Sequence, residues 1–160
     1  MSNATTLTLQ VPVGNIRIVL NDQLQSAATL KTLVGTSGKL HRSEPLPPAG
    51  SNGPPYALVQ FSLSGLNHLR HECTSGAKIS RGDVCHIVGT SDLFISLARG
   101  TEHDGWESGM TIVGRVPEPD LTDVVEGAVL ALPKHDFTHP TYGTVMSMLD
   151  KELPCTLAAS

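Results

Sequence analysis

The sequence predicts a mainly β fold, a closed antiparallel barrel with a short helix at each end. Three observations carry that reading. Apolar and polar residues alternate in short runs along most of the chain. Helical spacing occurs in one stretch near each end, and nowhere between. Gly (15) and Pro (11) are plentiful while charged residues make up only 16%, a mixture that suits a loop-rich β domain better than a helical bundle. Closing the sheet also disposes of exposed strand edges. A chain of 160 residues is the size of one domain, covering 1–160. At that length about 70% of the unfolded surface is buried, so no metal or disulfide is needed to fold it.

Leu7–Val11 and Ile16–Leu20 alternate with Gly14-Asn15 between them, which predicts two strands and a tight hairpin. Ser26 then reads as the N-cap of a helix over 26–34, and Gly35 ends it. Gly35-Thr-Ser-Gly-Lys39 lacks the spacing of a phosphate loop and reads as the turn after that helix. Between residues 43 and 55, Pro45, Pro47, Pro48, Gly50, Gly53, Pro54 and Pro55 exclude a regular element. Tyr56–Leu63 is the next strand, and 64–81 a polar surface excursion. Val84–Val88, Leu93–Leu97 and Met110–Val116 are three more strands. Val124, Val125, Ala128, Val129 and Leu132 recur at helical spacing, which gives a second helix over 121–131 capped by Asp120 or Thr122. Val145–Leu149 is the closing strand.

Several function classes are disfavoured at once. The net charge is −4 and no Lys/Arg cluster stands out, so neither nucleic acid nor an anionic membrane surface is an expected partner. No apolar run nears the roughly 20 residues of a membrane span. Met1-Ser-Asn-Ala-Thr-Thr has no basic or apolar leader region, and the expected location is the cytoplasm. Cys73, Cys85 and Cys155 have no CxxC spacing and read as free thiols. His68, His71 and Cys73 fit no standard zinc pattern, so no metal and no cofactor is expected. His103-Asp104 are only sequence neighbours, and no Gly-x-Ser-x-Gly elbow accompanies them.

The order of elements and a series of local strings resemble the cyclophilin family of peptidyl-prolyl cis-trans isomerases. Gly14-Asn-Ile-Arg-Ile-Val-Leu20 is similar to the family's opening strand, and Leu40-His41-Arg42 to its Phe-His-Arg signature. Val59-Gln60 stands where its glutamine strand follows a proline-bearing loop. Ser91-Asp-Leu-Phe94-Ile-Ser resembles its Ser-Gln-Phe-Phe-Ile strand; Trp106 and Met110–Val116 resemble its Trp-Leu-Asp-Gly to Phe-Gly-Lys-Val run. The likeness covers roughly residues 10–153. It implies an eight-stranded barrel capped by two short helices, acting on X–Pro bonds of protein segments, alone or within a larger assembly.

The resemblance also implies roles. Arg42 would donate to the proline nitrogen, which becomes an acceptor once the twisted amide loses resonance. Gln60 would hold a substrate carbonyl and orient Arg42. Phe94, Met110 and Tyr56 would line the pocket for the proline ring, with Trp106 at its border. The chain departs from the family at Gln60, which is followed by Phe61-Ser-Leu63 rather than Gly-Gly-Asp. The family's pocket aromatic would fall on Ala57, its pocket histidine on Met110, and its Ala-Asn loop on a shortened segment before Phe94. These changes predict reduced isomerase activity, or alternatively a non-catalytic module that keeps the groove for a protein partner. On residue type alone, Arg42 reads as a surface salt-bridge arginine and Phe94 as core.

Overall fold

A computed structural model describes residues 4–72 and 78–160. Among these residues, nine strands form one sheet: β1 (Thr6–Val11), β2 (Gly14–Leu20), β3 (Ser37–Glu44), β4 (Leu58–Leu63), β5 (Asp83–Ile87), β6 (Asp92–Ser96), β7 (Met110–Arg115), β8 (Lys134–Thr138) and β9 (Val145–Ala159). Their order is β1-β2-β7-β5-β6-β4-β3-β9-β8, and β9 also pairs with β1. All strands except β8 therefore close into an eight-stranded antiparallel barrel, and β8 extends β9 as a hairpin outside the ring.

Alternation drives closure. Leu7, Leu9, Ile16, Ile18, Val59, Phe61, Val84, Leu93, Ile95 and Val113 all point into one buried core. Helix α1 (Gln25–Thr32) contributes Ala27 and Leu30 to it. At the other end α2 (Glu118–Asp120) runs into a π-helical segment, Leu121–Val129, whose Leu121, Val125 and Val129 plug the barrel. Among the described residues no helix is long and apolar enough to cross a membrane.

Several expectations need correction. The β1–β2 turn is at Pro12-Val13, since Val11 pairs with Gly14. Gly14 opens β2, and a Cβ there would sit 3.0 Å from the Val124 methyls, so the glycine lets the π-helix lie against the hairpin. Ser26 does not cap α1. Instead Glu72, from the segment read as a surface excursion, accepts hydrogen bonds from the backbone N–H groups of Gln25 and Ser26 at 2.7 and 2.8 Å, and from the Ser26 hydroxyl. A carboxylate from another part of the chain thus satisfies donors the helix cannot. The same excursion sends Leu66 and Leu69 into the core.

Asp120 does not cap its own helix either. Its carboxylate takes the Arg17 guanidinium through Nε and Nη2, both at 3.0 Å, and so ties the helix to β2. The Gly35–Lys39 stretch is not merely a turn, because β3 begins at Ser37 and runs through Arg42 to Glu44. The closing strand is far longer than Val145–Leu149. It bends at a bulge, where Leu40 pairs with Leu153 but Arg42 pairs with Met148. Its first half binds β8, and its second half seals the barrel against β1.

Candidate functional site

The outer face of the barrel carries a second apolar cluster, separate from the core. Leu58, Ile79, Cys85 and Phe94 are buried there, with Tyr56, Ile87, Trp106, Met110 and Ile112 packed around them. Direct cross-strand partners share a face of a sheet. Met148 on β9 opposes Arg42 on β3, and Arg42 opposes Gln60 on β4. Gln60 opposes Phe94 on β6, Phe94 opposes Cys85 on β5, and Cys85 opposes Ile112 on β7. One register row across the outer wall thus brings together residues more than a hundred positions apart in sequence.

Arg42 sits at the hinge of this row. Its Nε donates to Oε2 of Glu44, and its Nη1 donates to Oε1 of Gln60 at 3.2 Å. Gln60 Nε2 in turn donates to Asp92 Oδ2 at 3.0 Å. Glu44 is fully buried, and its other oxygen accepts the Tyr56 backbone N–H at 2.8 Å. Arg42 is 13% exposed, so most of its side chain is buried. Its Nη2 has no hydrogen-bond partner among the described residues. The guanidinium carbon lies 5.8 Å from the Tyr56 ring centroid, within reach of a cation–π attraction.

The aromatic side of the groove is built on His103. Its Nε2–H donates to the Tyr56 carbonyl at 2.6 Å. Nδ1 is then the acceptor, and the Ser96 hydroxyl donates to it at 3.0 Å. The imidazole stacks on Trp106 at 4.2 Å. Burial lowers the pKa of His103 below the ordinary imidazole value, and the nearby Arg42 charge adds to this against the opposing pull of the Tyr56 carbonyl and Glu102. Burial thus favours the neutral ring. Ser96 and His103 make a hydroxyl–imidazole pair, but both are buried at 0% and 1% exposure. Their third partner is a backbone carbonyl, so the pair fixes structure and presents no nucleophile.

Two open clefts meet at Arg42 and Thr144. One, of about 470 Å³, is walled by Tyr56, Trp106 and Met110. The other, of about 440 Å³, is walled by Gln60, Asp92, Met146, Met148 and Tyr142. The β8–β9 hairpin supplies the far wall of the second cleft. Together they form a trough with one fixed cation at its centre.

Arg42, Gln60, Tyr56, Trp106 and Met110 all line this trough. Phe94 belongs to the same row but does not line it. Only 1% of it is exposed, because Trp106 lies edge-on against it at 5.9 Å and His103 at 5.6 Å. Ala57 is not a groove residue. It is fully buried in the barrel core with φ 54°, and that left-handed conformation turns its methyl inward and leaves the adjacent Tyr56 to face the groove. Tyr56, not Ala57, is the aromatic side chain on this wall. Glu44, Asp92, Met146 and Met148 carry no role in the sequence reading, and His103 enters it only as the sequence neighbour of Asp104. Glu44 had a signal, since two residues along a strand return to the same face as Arg42.

Among the described residues no group of three His, Cys, Asp or Glu side chains converges as a metal site. His71 Nε2 lies 3.0 Å from the Glu107 carbonyl, His68 is exposed, and Cys73 lies outside the described residues. Cys85 and Cys155 are free and buried. No protein-family model matches the chain, and no curated protein matches it.

Proposed function

We propose that the trough binds extended, proline-containing protein segments and that Arg42 promotes cis–trans isomerisation of their X–Pro bonds, more slowly than in an unaltered cyclophilin. One observation carries this reading: a guanidinium fixed by Glu44 and Gln60, with Nη2 unengaged, faces an aromatic wall across an open cleft. Rotation about an X–Pro bond crosses a barrier of about 18–20 kcal/mol and needs no nucleophile. It needs a donor that favours the pyramidal nitrogen of the twisted state over the planar amide. A positioned donor of this type lowers such barriers by about 3–4 kcal/mol. Glu44 and Gln60 restrict the rotamers of Arg42, so little ordering remains to be done when substrate arrives. Tyr56, Trp106 and Met110 offer the proline ring an apolar surface. The resemblance of Leu40-His41-Arg42, Gln60 and Ser91–Ser96 to cyclophilin strings adds to this. The test is a protease-coupled assay on Ala-Pro peptides, with and without Arg42.

A second reading is favoured by Trp106. It packs on Phe94 and fills the space where a buried proline ring would otherwise rest on that phenyl face. A trough closed in this way would hold a peptide on its surface without gripping the ring, and the domain would serve as a non-catalytic binding module. Peptide binding without rate enhancement is the result that selects it.

A further inference from the structure

The second cleft is built from parts that the isomerase chemistry does not use. Met146 and Met148 are alternate residues of one strand, so both thioethers present to the same face. Tyr142 stands at the hairpin tip, 79% exposed, with its ring 4.8 Å from that of His139. Opposite them is Asp92. Its Oδ2 accepts from Gln60, while Oδ1 has no partner among the described residues. The formally charged side chains on the walls are Arg42 and Asp92. The charge of Arg42 is matched by Glu44 directly behind it, and the negative charge of Asp92 is left over.

We infer that this cleft is the subsite for a basic side chain flanking the proline, a lysine or arginine of the bound segment. Such side chains combine a long apolar stem with a cationic head. The stem suits Met146, Met148 and the Tyr142 ring, since methionine adapts its shape to irregular apolar partners. The head reaches the free Oδ1 of Asp92, where a charge-assisted hydrogen bond forms. An acidic side chain would meet Asp92 with like charge. A short apolar one would leave that carboxylate without its counterion. The two clefts share Arg42 and Thr144, so a segment seated over Arg42 continues from one to the other. This inference rests on the reading of the trough as a peptide site and adds its selectivity.

Fluorescence anisotropy on labelled Ala-Pro peptides tests it, with Lys, norleucine or Glu placed on either side of the dipeptide. All peptides are compared in the same buffer and at the same pH. The expected order is Lys over norleucine by about tenfold at one flanking position, with Glu weakest. Asp92→Asn keeps an acceptor for Gln60 and removes the charge, and should bring Lys and norleucine within about twofold. Equal binding of Lys and norleucine by the unmodified protein overturns the subsite and leaves the peptide trough standing. A Lys preference that survives Asp92→Asn also overturns it. Failure of every peptide to bind overturns the trough and the subsite together.

Discussion

Arg42 and Gln60 face each other across paired strands, Nη1 donating to Oε1 at 3.2 Å, and the Arg42 guanidinium is gripped from behind by the buried Glu44 carboxylate. The three side chains form one unit. A single substitution at Arg42 therefore perturbs both the fold and the donor on which the proposed activity rests.

Arg42→Ala strands the Glu44 carboxylate in the barrel wall, and should destabilise the fold by roughly 3–5 kcal/mol. Arg42→Ala combined with Glu44→Gln removes the stranded charge and should recover most of that loss. Urea denaturation of the single and double variants measures the difference. Equal stabilities for the two would mean that the carboxylate is paired elsewhere.

A Cβ on Gly38 would sit 1.6 Å from the Ser62 carbonyl oxygen, inside the β3–β4 pair. Gly38→Ala should cost more than about 3 kcal/mol or prevent folding. Gly109→Ala, where nothing lies within 4 Å, should fall within about 0.5 kcal/mol of the parent. Thermal unfolding by circular dichroism compares them.

The pH dependence follows from His103. Burial depresses its folded pKa below 6.5, so the unfolded chain takes up a proton first as pH falls. The stability held by the neutral imidazole is complete above that unfolded value and is lost as pH falls through the lower, folded one. Trp106, the only tryptophan, stacks on this ring. Its fluorescence should change with a midpoint below 6.5, and His103→Gln should remove the transition. A midpoint at or above 6.5 contradicts the assigned tautomer and burial.

Burial pushes the Cys155 thiol up to about 11, and the Cys85 thiol well above its usual range. Iodoacetamide at pH 8 should leave both unmodified in the native protein and label both after denaturation, as read by peptide mass spectrometry.

The barrel was legible because its inward faces alternate: the strand read at 56–63 is observed at Leu58–Leu63, and Val125 and Val129 of the helical pattern plug the barrel, joined by Leu121, which that pattern left out. The strand carrying Arg42 was not. Between Ser37 and Glu44 only Leu40 is apolar, because the outer positions of that strand are taken by the polar residues of the site. β8 was hidden for a different reason: it lies outside the closed ring and buries little, so it carries no apolar alternation. The charged run Asp150-Lys-Glu152 hid the continuation of β9 through its bulge. Arg42, Gln60 and Phe94 were placed in one row by the register, but that Trp106 covers Phe94 and that Ala57 turns inward depend on backbone conformation, which residue type alone does not carry.

The central claim is that the guanidinium of Arg42 acts on the X–Pro bond. Two-dimensional NMR exchange on an Ala-Pro peptide measures cis–trans interconversion directly, without a coupling protease. The parent protein should raise the exchange rate above the peptide alone. Arg42→Ala/Glu44→Gln, folded but lacking the donor, should lose about 10²–10³ of that acceleration. An exchange rate that the parent protein does not raise, or one that the double variant raises equally, would contradict the account.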